Sequence, residues 1–249
     1  MINFFRKIRK KLADDNKPLK YMRYAVGEIV LVVIGILFAL QINNWNEERK
    51  ERLLETKILK EIVSNLNIDL IGIRADIAIM DSVNLACHDI IRFMETDSTP
   101  SESLYYNAAK IRVNPHFDPN KSAYSLLISK GVEIILNDSL RGAISNLYES
   151  SYPYYRRYEE ERTMFKAKQI DPKLIDYFTW LPNPELYFFA FFQISKEDYI
   201  KMKSDANFLK LVYAIKHENS IVQNRAQRTE GKIIEIMGQL KKELLKLKD

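Results

Sequence analysis

The sequence predicts an all-α protein with one N-terminal transmembrane helix that continues into an elongated extramembrane helical bundle built on two long antiparallel helices. Three observations predict this fold class. Residues 24–42 are almost entirely apolar, a 4-3 apolar repeat follows over residues 59–94, and a second long apolar stripe at helical spacing covers residues 206–247.

The transmembrane helix is predicted at residues 24–42, YAVGEIVLVVIGILFALQI. At a rise of 1.5 Å per residue this segment is about 28 Å long, close to the thickness of a bilayer core. Trp45 follows where interfacial aromatic residues lie. The apolar run is long and no small-x-small cleavage site follows it, which favours an uncleaved signal anchor over a cleaved signal peptide.

Charge predicts the orientation of this helix. Residues 1–23 hold eight lysines and arginines against Asp14 and Asp15. By the positive-inside rule the N-terminus is cytoplasmic and residues 43–249 form an extracytoplasmic domain. We expect the basic segment 1–23 to bind anionic lipid headgroups and not nucleic acid, either as an amphipathic helix or as a disordered tail.

One face of the membrane helix combines small residues with a carboxylate. Glu28, Val32, Gly35 and Ala39 lie on it, and Gly35 and Ala39 form a small-xxx-small pair that favours a homodimer. Glu28 has two interpretations. It lies in a helix–helix contact, or it reaches the headgroups and pairs with a basic neighbour such as Arg23.

A long helix is predicted over residues 47–96. Its apolar seam is interrupted by one polar residue, Asn84, and it includes the single cysteine, Cys87. Such a seam is typical of a coiled coil, in which Asn84 would set register between chains. Additional isoleucines widen the stripe, which favours a bundle within one chain. Cys87 is then a small core residue, or else it forms a disulfide between chains.

Shorter helices are expected over residues 101–203, and a long C-terminal helix over residues 206–247. The helix starts and stops rest on local signals, namely Gly131, Asn137 or Asp138, Pro153, Ser195 and Asp205. Residues 113–122, VNPHFDPNKS, are predicted to form a loop. The aromatic run ELYFFAFFQI at residues 185–194 is expected in the core, with an exposed interaction surface as the alternative.

The residues FFRKIRKKLADDNKPLKYMRYAVGEIVLVVIGILFALQINNWNE resemble a family of single-pass membrane proteins from Bacteroidota. The family is known only as a domain of unknown function, with a basic FRK-like start, NKP, RYA-GEI, GIL-AL and QINNWN. SAYSLLISKGVEIILNDSLRGAISNLY is similar to a second recurring block. The resemblance implies a bacterial inner-membrane protein with a periplasmic helical domain, and it supplies no catalytic residues.

The sequence contains no motif that specifies a reaction. Glycine-rich phosphate loops, nucleophile elbows and zinc-binding pairs are all missing, so no enzyme activity, cofactor or metal is predicted. The candidate interaction surface is a cluster of aromatic and basic residues: Tyr152, Tyr154, Tyr155, Arg156 and Arg157.

Two functional hypotheses remain open. The leading one is a scaffold or sensor-like interaction module of the bacterial envelope that binds an unknown protein partner. The alternative is a ligand-binding or enzymatic domain whose pocket lies between the Tyr/Arg cluster and residues 114–120. A ligand-sized cleft would favour the second hypothesis, and a continuous packed core the first.

Overall fold

The computed structural model describes residue 7 and residues 18–96, 99–182 and 190–247. The chain divides into an N-terminal unit, Met1–Glu55, and a C-terminal unit, Thr56–Asp249. Helices account for most of the described residues, which confirms the all-α class. Most of the predicted basic segment 1–23 and residues 185–189 of the aromatic run lie outside the described residues.

The elements follow one another along the chain with short connections. They are α1 (Pro18–Glu95), α2 (Glu102–Lys110), α3 (Ser122–Lys130), a 3-10 turn (Val132–Ile134), α4 (Asp138–Asn146), a π-helical turn (Leu147–Ser151), α5 (Tyr152–Phe165), a second π-helical turn (Lys166–Ile170), α6 (Asp171–Ile175), strands β1 (Phe178–Pro182) and β2 (Ala190–Ile194), α7 (Lys196–Ser204) and α8 (Ala206–Lys246).

The N-terminal unit contains the apolar part of α1. Its large apolar side chains point outward, with Phe38 67% exposed and Leu37 58% exposed. Within the described residues, this is the one stretch of helix long and apolar enough to cross a membrane. An apolar surface of this kind is unfavourable in water and is stable in a lipid environment.

In the C-terminal unit, the seam of α1 is buried at a seven-residue repeat. Leu59, Leu66, Ile73, Met80 and Cys87 are all 0% exposed. The buried stripe is wider than a two-stranded seam, since Ile58, Ile62 and Ile90 are buried beside it. Ile79, which the sequence pattern placed in the stripe, is instead 38% exposed.

Cys87 is a core residue of this unit. Burial raises the pKa of its thiol to about 12, so it is neither a thiolate nor accessible to a second chain.

Polar side chains show that α1 and α8 run in opposite directions. Arg74 forms an ion pair with Glu230 at 2.6 Å, and Asn84 Nδ2 donates to Gln223 Oε1 at 3.0 Å. A residue further along α1 therefore contacts a residue nearer the start of α8, as in an antiparallel pair of helices. Asn84 makes its contacts within the chain, which is the arrangement of an intramolecular bundle.

Local signals start and stop several helices as predicted. Asn137 Oδ1 accepts the N–H of Leu140 at the start of α4, and Ser195 Oγ accepts the N–H of Asp198 at the start of α7. Gly131 ends α3 with a φ of 97°, a conformation that favours glycine.

The predicted disturbance at Pro153 is a π-helical turn over Leu147–Ser151. Proline has no N–H to donate to the carbonyl four residues earlier, so the helix widens by one residue there before continuing as α5.

The antiparallel pair of strands β1 and β2 corrects the expectation of shorter helices over residues 101–203. Antiparallel pairing sets Trp180 opposite Phe192, with ring centroids 5.2 Å apart, and Arg112 lies over Trp180 at 4.3 Å. Aromatic residues between proline-rich breaks favour extended pairing over helix. The described part of the aromatic run is divided, with Phe192 buried and Phe191 41% exposed.

Candidate functional site

The most polar part of the C-terminal interior surrounds residues 111–121, which connect α2 to α3 and are here called the anchored loop. Two helices, α1 and α5, hold it through buried polar side chains. Of the carboxylates involved, Asp69 on α1 and Glu159 on α5 are each only 2% exposed. A buried ionisable group is a frequent mark of a functional site, so the partners of each decide what the site can do.

Asp69 holds the end of the anchored loop. Its Oδ1 accepts the backbone N–H of Asn120 at 2.7 Å, and its Oδ2 accepts the hydroxyl of Tyr152 at 2.7 Å. One turn earlier on α1, Asn65 Nδ2 donates to Ser122 Oγ at 2.9 Å. The spacing of Asn65 and Asp69 places both side chains on the loop-facing side of α1.

Burial and hydrogen bonding act on Asp69 in opposite directions. Burial raises the pKa of its carboxyl above the ordinary value, and the hydrogen bonds from Asn120 and Tyr152 partly offset that rise. The same contact, together with burial, raises the pKa of Tyr152 far above the ordinary value, so its hydroxyl stays protonated and remains a donor.

Glu159 and Arg162 hold the middle of the anchored loop. Glu159 Oε1 accepts the backbone N–H of Phe117 at 3.0 Å, and its Oε2 lies 3.6 Å from His116 Nδ1. Arg162 Nη2 donates to the carbonyl of Pro115 at 2.6 Å. Burial raises the pKa of Glu159 and lowers that of Arg162, and the nearby opposite charges reduce both shifts.

The network continues from Arg162 across the interface between α1 and α8. Arg162 Nη1 donates to Asn219 Oδ1 at 3.4 Å, and Asn219 Nδ2 donates to Asn84 Oδ1 at 2.9 Å. Gln223 accepts from Asn84 and donates to Asp81. A chain of hydrogen bonds thus links the anchored loop to both long helices. Three buried atoms beside it, Tyr155 Oη, Glu159 Oε2 and Arg162 Nε, have no hydrogen-bond partner among the described residues.

Aromatic rings pack along the same side of the loop. Tyr124 stacks on Tyr148 at 4.4 Å, Tyr148 meets Tyr152 edge-on at 5.3 Å, and Phe117 lies between Tyr152 and Tyr155 at 5.5 and 6.0 Å. The one loop residue in this row, Phe117, is 5% exposed.

The arrangement therefore holds backbone groups of the protein itself. The carboxylates accept loop N–H groups and the guanidinium binds a loop carbonyl. Within residues 7, 18–96, 99–182 and 190–247, no three His, Cys, Asp or Glu side chains are placed to hold a metal ion. His116 and Asp118 lie 3.4 Å apart, but Asp118 is largely exposed.

A small cleft lies elsewhere, between the end of α1 and α2. It has a volume of about 140 Å³ and is lined by Asp89, Arg92, Ser101 and Asn107 among others. Ligand pockets are usually about 300–1,000 Å³, so this cleft is small for a metabolite.

The structure divides the predicted Tyr/Arg cluster between two environments. Tyr152 and Tyr155 are buried against the anchored loop, at 3% and 1% exposure. Tyr154, Arg156 and Arg157 lie on the outer face of α5. The outer group does not meet the 114–120 loop, so the five residues do not line one pocket.

The predicted face of the membrane helix is described apart from these residues, in the N-terminal unit. Val32, Gly35 and Ala39 are exposed and Glu28 is half-buried. A Cβ built on Gly35 meets no atom within 4 Å, so a single chain leaves this face uncovered.

Sequence reasoning missed the residues that hold the anchored loop. Asn65 and Asp69 interrupt the apolar stripe of α1 one turn apart, which was the available signal. Glu159 and Arg162 lie in a charged stretch, YRRYEEER, in which half of the side chains are exposed, so their burial could not be read from the sequence.

Comparison with known proteins places the chain in a family. The model described as "Family of unknown function (DUF6090)" matches residues 28–220. The chain belongs to this family. The match includes the apolar part of α1 from Glu28 onward, the anchored loop and both carboxylates that hold it, and it ends within α8.

No curated protein matches the chain. No solved structure matches it either. The family description assigns no activity, so the functional argument rests on the geometry of this chain.

Proposed function

We propose that this protein is a membrane-anchored helical interaction module of the bacterial envelope. In this proposal, α1 anchors the chain in the inner membrane through residues 24–42, with a cytoplasmic N-terminus and a periplasmic C-terminal unit. The origin in Bacteroidota belongs to the same proposal, as does binding of the basic segment 1–23 to anionic lipids. The excess of basic residues before the apolar stretch supports the orientation.

One observation supports the proposal: both buried carboxylates of the network bind the protein's own loop. Asp69 and Glu159 are the groups best suited by burial to do chemistry, and each accepts a backbone N–H from the anchored loop. A rigid helical unit whose interior is engaged in this way offers its outer faces for binding.

The alternative, a ligand pocket lined by the Tyr/Arg cluster, has less support. Tyr152 and Tyr155 pack against Phe117, and Arg156 pairs with Glu160 on the outside of α5 at 3.1 Å.

Site-specific photo-cross-linking in native membranes tests the proposal. A photoreactive phenylalanine analogue would replace exposed residues one at a time, for example Tyr106, Tyr154 and Tyr213. An interaction module gives a discrete protein adduct from at least one outer face. No adduct from any exposed position, combined with saturable turnover of a small molecule by the purified protein, would contradict the proposal.

A further inference from the structure

A cluster of two tyrosines and two arginines lies at the surface where α5 packs beside α8; two of its members are exposed and two, Tyr158 and Arg225, are half-buried. It consists of Tyr154, Arg157 and Tyr158 on α5 and Arg225 on α8, and is here called the Tyr–Arg patch. The two rings meet edge-on at 5.1 Å, and their hydroxyl oxygens are 3.1 Å apart.

Both arginines of the patch lie over both rings. The guanidinium carbon of Arg157 is 5.2 Å from the Tyr154 centroid and 5.6 Å from that of Tyr158. For Arg225 the corresponding distances are 5.4 and 4.8 Å. Guanidinium N–H donors lie in the plane of the group, so contact with a ring holds the side chain in place and leaves donors available.

Exposure sets the patch apart from the core tyrosines. Tyr154 is 43% exposed, whereas Tyr152 and Tyr155 on the same helix are buried. The side chain of Arg157 is 60% exposed. Packing of the C-terminal unit therefore does not require Tyr154 to be aromatic or Arg157 to be basic.

The patch carries positive charge that its neighbours only partly balance. The carboxylate nearest to Arg157 is Glu161, at 4.0 Å, the limit of an ion pair. Arg225 has no ion-pair partner among the described residues, and Arg228, one turn further along α8, is exposed. Arg156 differs, because it is paired with Glu160 and, among the described residues, lies over neither ring.

We propose that the Tyr–Arg patch is the docking surface for an acidic segment of a protein partner. Aspartate or glutamate side chains of that segment accept hydrogen bonds from Arg157 and Arg225, and its apolar atoms cover the exposed edge of Tyr154. Arginine matches carboxylates bidentately, and tyrosine with arginine dominates the energetic centres of protein interfaces.

A peptide fits the patch better than a lipid surface does. Glu160 and Glu161 are both more than half exposed beside it on α5. A continuous sheet of phosphates would meet these carboxylates and be repelled, whereas a peptide can place its few carboxylates opposite the arginines alone.

The inference rests on the proposed function, and a defined probe tests it separately. Full-length protein in phosphatidylcholine nanodiscs is titrated with fluorescent octaglutamate. Arg157→Gln combined with Arg225→Gln should weaken binding at least roughly tenfold, because two charge-assisted contacts are lost. Arg156→Gln is the matched control and should change affinity by less than about twofold. The basic segment 1–23 is unchanged in all variants, so a difference in affinity between them reports the patch.

Two further measurements test whether the variants fold and whether one arginine is enough. Circular dichroism checks that each variant is folded. If the double variant is unstable, Arg157→Glu alone, at a largely exposed position, should also lose binding of octaglutamate. Equal octaglutamate affinity in wild type, the double variant and Arg157→Glu would overturn the proposal. So would unchanged octaglutamate affinity with reduced binding to phosphatidylglycerol vesicles, which would identify a lipid surface. If either of these results were obtained, cross-linked adducts from other outer faces would still support the proposed interaction module.

Discussion

Asp69 on α1 accepts a hydrogen bond from the hydroxyl of Tyr152 on α5 at 2.7 Å, across 83 residues of sequence. The same carboxylate accepts the N–H of Asn120, so one side chain joins two helices and the anchored loop. Removing either partner leaves a buried group with fewer hydrogen bonds than it needs, which is costly in a low-dielectric interior.

We predict that Tyr152→Phe destabilises the protein by about 1–2 kcal/mol, because the ring still packs against Phe117 but the buried carboxylate loses a donor. Tyr154→Phe on the exposed face should change stability by less than about 0.5 kcal/mol. Urea unfolding of the full-length protein in micelles measures both. Equal stability of Tyr152→Phe and wild type would show that the Asp69 contact contributes nothing.

The pKa shifts predict how stability depends on pH. Burial raises the pKa values of Asp69, Asp76 and Glu159 above their ordinary values. In each case the folded state binds a proton more tightly than the unfolded state does. The ionised groups therefore destabilise the fold at neutral pH, and stability rises as pH falls through the raised pKa values toward the ordinary ones.

The pKa of Asp205 is shifted in the opposite direction, because contacts with Lys173 and Tyr177 lower it to about 2. Its stabilisation is lost only below its ordinary pKa of about 4. We therefore predict that the melting temperature, measured by scanning calorimetry, is higher just above the ordinary carboxyl pKa of about 4 than at pH 8. Glu159→Gln, which cannot titrate, should reduce the difference. A melting temperature that falls steadily as the pH is lowered across this range would contradict this assignment.

Local chemistry explains which parts of this fold were predictable from sequence. Asn137, Ser195 and Asp205 each accept an N–H two or three residues ahead, and such a contact can be read directly from the chain. The apolar repeat of α1 likewise indicates which face of that helix is buried. These features can be predicted without knowing which residues pack against them.

The pair of strands and the anchored loop were not predictable in the same way. Trp180 and Phe192 face each other across the two strands, and the helical alternative for such short aromatic runs differs in its tertiary contacts. Glu159 resembles its exposed neighbours Glu160 and Glu161 in sequence, and only the fold shows that it faces the N–H of Phe117. The family match does not distinguish these residues either.

The Gly35/Ala39 face predicts self-association of the membrane helix. Gly35→Leu with Ala39→Ile should weaken dimerisation in a bilayer reporter assay, because larger side chains prevent close approach of two helices. Val33→Leu with Leu37→Ile, on the opposite side of the helix, is the control. An unchanged dimer signal in the Gly35/Ala39 variant would exclude this face.

The charge asymmetry around residues 24–42 predicts the orientation of the chain. A reporter that is active only in the cytoplasm should be silent when it is fused after Asp249, and the same reporter fused before residue 1 should be active. Strong activity from the C-terminal fusion would reverse the assignment.

Amide hydrogen exchange at Phe117 and Asn120 tests most directly the claim that the buried network is engaged in holding the anchored loop. NMR of the full-length protein in micelles should show both amides strongly protected, since each donates to a buried carboxylate. Faster exchange is expected at His116 and Asp118, whose N–H groups have no acceptor among the described residues. Exchange at Phe117 and Asn120 as fast as at His116 and Asp118 would show that the carboxylates are free for another role, which contradicts the account.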